Sequence, residues 1–215
     1  MDHFRDSPED EIRVWVIPIE ASVRVANVLE TVLSPVEQAE ASRMSTAALR
    51  RRSVFSRGVL RVMLSRYLPL KAHEIELSRG SRGKPALASP DRLRFNVSHS
   101  GDRILLAFAR ECEIGVDVEH IRDLADFEAI AHRFFAPGES ADLGEMPVGA
   151  RAEAFFRCWT RKEAYLKAIG DGLWAPHDGC VSNCFVANAG VTAALRAALS
   201  FALPDRVGER IVETP

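Results

Sequence analysis

The chain has 215 residues, 47% of them hydrophobic and 27% charged, which suits one large or two small packed domains and excludes a disordered or fibrous chain. A net charge of −2 excludes a polycation built for nucleic acid. No apolar run approaches the roughly 18 residues of a membrane span, and the N-terminal stretch is acidic (Asp2, Asp6, Glu9, Asp10, Glu11), unlike a signal peptide, so the expectation is a soluble cytoplasmic α+β protein.

In chain order, residues 12–19 read as a first strand, dense in β-branched residues. Residues 35–68 read as one helix, opened by Ser34-Pro35 with Glu37 in the first turn. Phe55, Val59, Met63 and Tyr67 recur at spacing four, as do Leu60, Leu64 and Leu68, giving that helix a broad apolar face. From residue 41 to residue 70 it carries seven arginines and no acid, and Arg50, Arg57 and Arg61 share one face. That face is either solvated or a seat for an anionic ligand. Residues 78–92 are loop, with a short strand at 86–87. Residues 93–97 and 104–109 read as a β-hairpin, 114–119 as a strand and 124–135 as a helix ended by a Pro137-Gly138 break. Residues 151–169 form a long helix stopped by Gly170. Beyond Gly172 the pattern weakens: 181–187 reads as a strand, 193–203 as a helix, and 211–212 is too short to assign.

Four segments carry chemistry. In Ile114-Gly115-Val116-Asp117-Val118-Glu119 the apolar residues share one strand face, while Asp117 and Glu119 share the other, about 7 Å apart, with Gly115 leaving room beside them. Like carboxylates so placed repel, and a hard cation such as Mg²⁺ would relieve the repulsion; a solvent-facing acidic edge is the plainer alternative. Trp159, Glu163 and Lys167 form one stripe of the long helix, beside Phe155, Phe156 and Leu166. Phe95-Asn96-Val97-Ser98-His99-Ser100-Gly101 puts a hydroxyl and an imidazole at a strand end; a Ser-His hydrolase pair is not supported, because adjacent residues seldom aim at each other. Arg79-Gly80-Ser81-Arg82-Gly83-Lys84-Pro85 misses the P-loop pattern, since Pro85 stands where Ser or Thr is needed, yet a basic glycine loop can hold phosphate. The four cysteines, Cys112, Cys158, Cys180 and Cys184, are too few for a disulfide framework, and no CxxC or HExxH spacing suggests zinc.

With Gly83-Lys84-Pro85, the block 95–100, the block 114–119, Arg133-Phe134-Phe135-Ala136-Pro137-Gly138-Glu139 and the block 159–167 in this order, the sequence resembles 4′-phosphopantetheinyl transferases of the surfactin-synthetase-activating (Sfp-like) type over residues 12–178. The resemblance implies two similar α/β halves about a pseudo-twofold axis: residues 1–110 on the adenosine-phosphate side of coenzyme A, and residues 111–215 with the metal and catalytic groups. It implies Mg²⁺-dependent transfer of the phosphopantetheine arm of coenzyme A to a serine of an apo acyl or peptidyl carrier protein, releasing 3′,5′-ADP. Asp117, Glu119 and Glu163 would hold Mg²⁺ on the diphosphate, and Asp117, Glu163 and Lys167 would be catalytic, with Glu163 as base and Lys167 on the diphosphate. Arg57, Arg79, Gly83, Lys84, Asn96, Ser98 and His99 would bind the coenzyme's other end. A monomer is the default, with neither nucleic acid nor membrane as partner. Residues 178–215 lack the family's aromatic-rich closing hairpin. The alternative is a non-catalytic protein that binds coenzyme A or a carrier.

Overall fold

The computed structural model describes residues 11–19, 22–80, 83–110, 113–123 and 125–170, and the backbone of three later strand segments, 184–185, 197–202 and 210–214. The architecture is α+β. Strand β1 (Glu11–Pro18) precedes helices α1 (Val23–Glu30), α2 (Pro35–Ser42) and α3 (Ala47–Tyr67). Strands β2 (Leu77–Arg79) and β3 (Pro85–Leu87) form a small ribbon, followed by the hairpin β4 (Leu93–Ser100) and β5 (Arg103–Arg110). Then come β6 (Gly115–His120), α4 (Phe127–Phe134), α5 (Pro137–Glu145), α6 (Val148–Ile169), β7 (Cys184–Phe185), β8 (Ala197–Ala202) and β9 (Arg210–Thr214).

A first sheet has the order β4-β5-β1-β9, antiparallel except for the parallel pair β1 and β9. A second, antiparallel sheet has the order β6-β8-β7. Strand β5 is buried on both faces. Ile104, Leu106 and Phe108 meet Leu60, Met63, Leu64 and Tyr67 of α3, with the Tyr67 and Phe108 rings stacked at 4.4 Å. Leu105, Ala107 and Ala109 turn the other way and pack with Ile12 and Val14 against Ile114, Val116 and Val118 of β6. The alternation expected at 114–119 is therefore realised, and it places β6 against the far face of the first sheet. A third apolar cluster joins α4, α5 and α6 through Phe135, Leu143, Phe155 and Phe156.

Several elements differ from their sequence expectation, each for a local reason. The helix expected over 35–68 is two: α2 ends at the Arg43 cap, and α3 begins where the Thr46 hydroxyl accepts the Leu49 N–H. Helix α1 was not foreseen; its start is capped by Ser22. The break expected at Pro137-Gly138 does follow the end of α4, but Pro137 also opens a helix that was not foreseen. It is the first residue of α5, where a missing N–H does no harm, and Glu139 accepts the Ala136 N–H at 2.8 Å. The helix expected over 193–203 is overturned at 197–202, which is β8: an Ala- and Leu-rich run of high helix propensity becomes a strand because β6 offers it an edge to pair with. Residues 211–212, too short to assign by pattern, lie within β9. Of the strand expected at 181–187 only β7 is described, and the remainder falls outside the described residues, as do Cys112 and Cys180.

Candidate active site

A cavity of about 1220 Å³ opens between the α2–α3 face, the 73–79 segment, the end of β4, strand β6 and helix α6. Arg57, Arg79, Gly83, Ser98, His99, Asp117, Glu119, Glu163 and Lys167 all line it. Residues scattered over more than a hundred positions are thus brought to one place.

The acidic end rests on the contact of β6 with α6. Gly115 lies on the same strand face as Asp117 and Glu119 and sits under the helix. A Cβ there would stand 1.9 Å from the Ala164 carbonyl oxygen and 2.4 Å from the Ala168 nitrogen, so only glycine lets the helix approach this closely. The residues directly before these two, Glu163 and Lys167, stand one turn apart on α6 and both line the same cavity.

Strands β4 and β6 are joined by side chains instead of a backbone ladder. Asn96 Oδ1 accepts the Val116 N–H at 2.9 Å, Ser98 Oγ accepts the Val118 N–H at 3.3 Å, and Ser100 Oγ accepts the His120 N–H at 3.0 Å. The two hydroxyls then donate onward, Ser98 to Asp117 Oδ1 at 2.7 Å and Ser100 to Glu119 Oε2 at 2.8 Å. Lys167 Nζ donates to the same Asp117 oxygen at 2.6 Å and to Ser98 Oγ at 3.1 Å. Asp117 is 4% exposed, and its second oxygen, Oδ2, is buried with no hydrogen-bond partner among the described residues. Burial pushes the Glu163 carboxyl above its ordinary value; the charges of Asp117 and Glu119 add to the rise and Lys167 opposes it.

Among the described residues no three acidic, His or Cys side chains stand close enough to enclose a metal ion. Asp117, Glu119 and Glu163 share the cavity, with Lys167 on Asp117. Their chemistry fits a divalent cation: hard carboxylate oxygens, one of them buried and unpartnered, with a mutual repulsion that such an ion would relieve.

The basic end differs from its sequence reading. Three of the arginines of α3 are paired with acids, which come from the preceding helices. Arg50 pairs with Glu30, Arg57 with Glu40 and Arg61 with Glu37, each at 2.7 Å. Arg61 is 2% exposed and also donates to the Ala72 and Ile75 carbonyls, so it braces the fold. Two expected ligand residues lie apart from the cavity lining. Asn96 is buried and holds β6. Lys84 turns the other way, donating to Glu113 at 3.1 Å and to the Ile114 and Ala168 carbonyls, where it ties the ribbon to the end of α6. The Gly80 and Gly83 N–H groups, expected to be open to phosphate, close their own turn, in which Gly83 takes a φ of +83° that favours glycine.

A family model for the 4′-phosphopantetheinyl transferase superfamily matches residues 113–198, and one for the N-terminal part of 4′-phosphopantetheinyl transferases matches residues 20–111. The chain is 40% identical over 167 residues to the 4′-phosphopantetheinyl transferase HetI of Nostoc sp., spanning 76% of this chain and 70% of that protein. The chain belongs to the 4′-phosphopantetheinyl transferase family. It is also 42% identical over 99 residues to the transferase AcpT of Escherichia coli O157:H7, spanning 46% of this chain and 51% of that one. Identity to the transferase psf-1 of Bacillus pumilus is 31% over 145 residues, 67% of this chain and 61% of its relative.

In this transferase, Ser100 and the double duty of Ser98 escaped sequence reasoning. The period-two spacing of Asn96, Ser98 and Ser100 was the available signal, since it puts three polar side chains on one face of a strand, the first two flanked by Phe95 and Val97 on the other.

Proposed function

We propose that this chain transfers the phosphopantetheine arm by holding coenzyme A along the cavity, with its diphosphate at the acidic end and its 3′-phosphate at Arg57, Arg79 and His99. The chain is a phosphopantetheinyl transferase: it moves the arm of coenzyme A to a carrier protein. The observation that carries the site reading is the convergence of Asp117, Glu119, Glu163 and Lys167 with those basic groups on one cavity.

Asp117, Glu119 and Glu163 would hold Mg²⁺, which when bound would neutralise the diphosphate and the charge growing on the leaving oxygen. Ser98 and Ser100 hold Asp117 and Glu119 in place, because each hydroxyl donates to a carboxylate and accepts from the β6 backbone. Glu163 takes the proton of the carrier serine, directly or through a water; burial raises its pKa and so its strength as a base. The serine oxygen bonds to the phosphorus next to the pantetheine, the phosphorus–oxygen bond to the nucleotide breaks, and 3′,5′-ADP leaves. Lys167 turns from Asp117 to a diphosphate oxygen, a short swing for a flexible side chain. The Sfp-like type and a pseudo-twofold plan belong to the same reading, supported by a long helix against a mainly antiparallel sheet in each part, α3 and α6. A monomer acting on an acyl or peptidyl carrier in the cytoplasm completes it. Among the described residues no helix is long and apolar enough to cross a membrane.

The test is to incubate the chain with apo-carrier protein, coenzyme A and Mg²⁺ and to weigh the carrier by mass spectrometry. A gain equal to the phosphopantetheine arm is expected, and its loss with a chelator supports the metal. No gain, with coenzyme A bound intact, would replace this reading with that of a binding protein.

A further inference from the structure

Helix α2 turns two acids inward. Glu37 is a structural acid: Oε2 accepts the Ser34 N–H at 2.8 Å and the Arg61 Nε–H at 2.7 Å. Glu40, one turn on, lines the cavity. A single oxygen of it, Oε2, accepts from Arg57 at 2.7 Å and from Arg79 at 2.9 Å. Arg57 comes from the middle of α3 and Arg79 from the end of β2, so the carboxylate draws together two guanidiniums from separate elements. Its side chain is 32% exposed, and those of Arg57 and Arg79 are 23% and 61% exposed. An oxygen shared by two guanidiniums at the wall of an open cavity has the arrangement that a phosphate oxygen would have.

We propose that Glu40 is an internal substitute for phosphate: it holds Arg57 and Arg79 in register in the free protein and gives them up when the 3′-phosphate of coenzyme A enters. This rests on the reading that Arg57 and Arg79 meet that phosphate. Partly exposed ion pairs are weak, so the two arginines are released easily, and a phosphate dianion offers more charge and more acceptor oxygens than one carboxylate. Glu40 nevertheless stays beside the seat, and its negative charge opposes the incoming anion. It therefore lowers affinity for the phosphorylated nucleotide end selectively and sets how far the chain separates coenzyme A from dephospho-coenzyme A, which lacks that phosphate.

The experiment is calorimetric titration of the full chain with coenzyme A and with dephospho-coenzyme A, for wild type, Glu40→Gln and Glu40→Ala. Both variants should bind coenzyme A about fivefold more tightly, with a steeper salt dependence, and dephospho-coenzyme A as wild type does. The Ala variant guards against the new amide acting as a ligand. Unchanged or weaker coenzyme A binding in both variants would overturn the proposal. So would an equal shift for the two ligands, which would make Glu40 a general support of the α2–α3 wall. If the wild-type chain itself does not separate the two ligands, the phosphate seat at Arg57 and Arg79 is wrong and the proposal falls with it; the carrier-mass assay reads transfer independently of that result.

Discussion

Glu163 combines two properties that pull apart: it is buried enough for its proton to be held more firmly, and it faces a cavity that a substrate can enter. Glu163→Gln keeps the shape and removes both the charge and the proton acceptor. Transfer by this variant should fall by at least a hundredfold in the carrier-mass assay, while calorimetry still detects coenzyme A binding. Gly115→Ala acts by geometry instead. The added methyl meets α6 backbone at Ala164 and Ala168, which cannot yield as a flexible side-chain end would. The helix must shift and take Glu163 and Lys167 with it. A loss of about 1–3 kcal/mol in denaturant unfolding is expected, together with loss of transfer. Cys158 is buried, and that burial, aided by the nearby Glu139 charge, pushes its thiol up to about 12. It should stay unmodified by a thiolate-seeking reagent in mildly alkaline buffer until the chain is unfolded.

Between elements, the pair Lys162–Glu139 joins α6 to α5 at 2.8 Å, with both side chains largely buried and the ammonium over the Phe135 ring. Lys162 directly precedes Glu163, so the pair fixes the rotation of the helix stretch that presents the proposed base. Burial opposes ionisation of Glu139, but the hydrogen bonds from Lys162 and the Ala136 N–H, with the lysine charge, outweigh it and hold its pKa below the ordinary 4.5. A lowered carboxylate pKa stabilises the fold above the unfolded value, and that contribution is lost as pH falls through the folded one. Glu139→Gln should therefore be markedly less stable than wild type near neutral pH, and the gap should close as the pH is taken below 4.5. Urea midpoints across that range measure it; a constant gap would show that the charge is not what α5 contributes.

At this scale the limits of the sequence are physical. Alternation within 114–119 suffices to put Asp117 and Glu119 on one face, because a strand has a fixed period. Counting charge along α3 alone misleads, because Glu30, Glu37 and Glu40 reach its arginines from other helices. Lys84 sits in a basic glycine turn that reads as a phosphate loop, yet its partners Glu113 and Ala168 are 29 and 84 positions away, and no local pattern foretells them. The run 197–202 reads as helix by composition and becomes strand through a pairing more than seventy residues distant.

Across the whole molecule, the two sheets meet through Asn96, Ser98 and Ser100. Removing the Asn96 carbonyl leaves the buried Val116 N–H without an acceptor. Asn96→Ala should cost about 1–3 kcal/mol of stability in chemical unfolding. Because Asn96 lies outside the cavity lining, the part of the variant that stays folded should bind coenzyme A with unchanged affinity, which separates its support of the fold from any part in ligand contact.

Strand β9 lies parallel to β1, with Glu11 opposite Arg210 and Trp15 opposite Thr214. The earliest and the latest described strands are thus neighbours, and the first sheet receives its fourth member only when a segment some two hundred positions after β1 has been made. Until then the nascent chain carries β1 with one side open to any passing strand. A ribosome stalled short of residue 210 would therefore hold a chain whose first sheet still lacks its fourth strand.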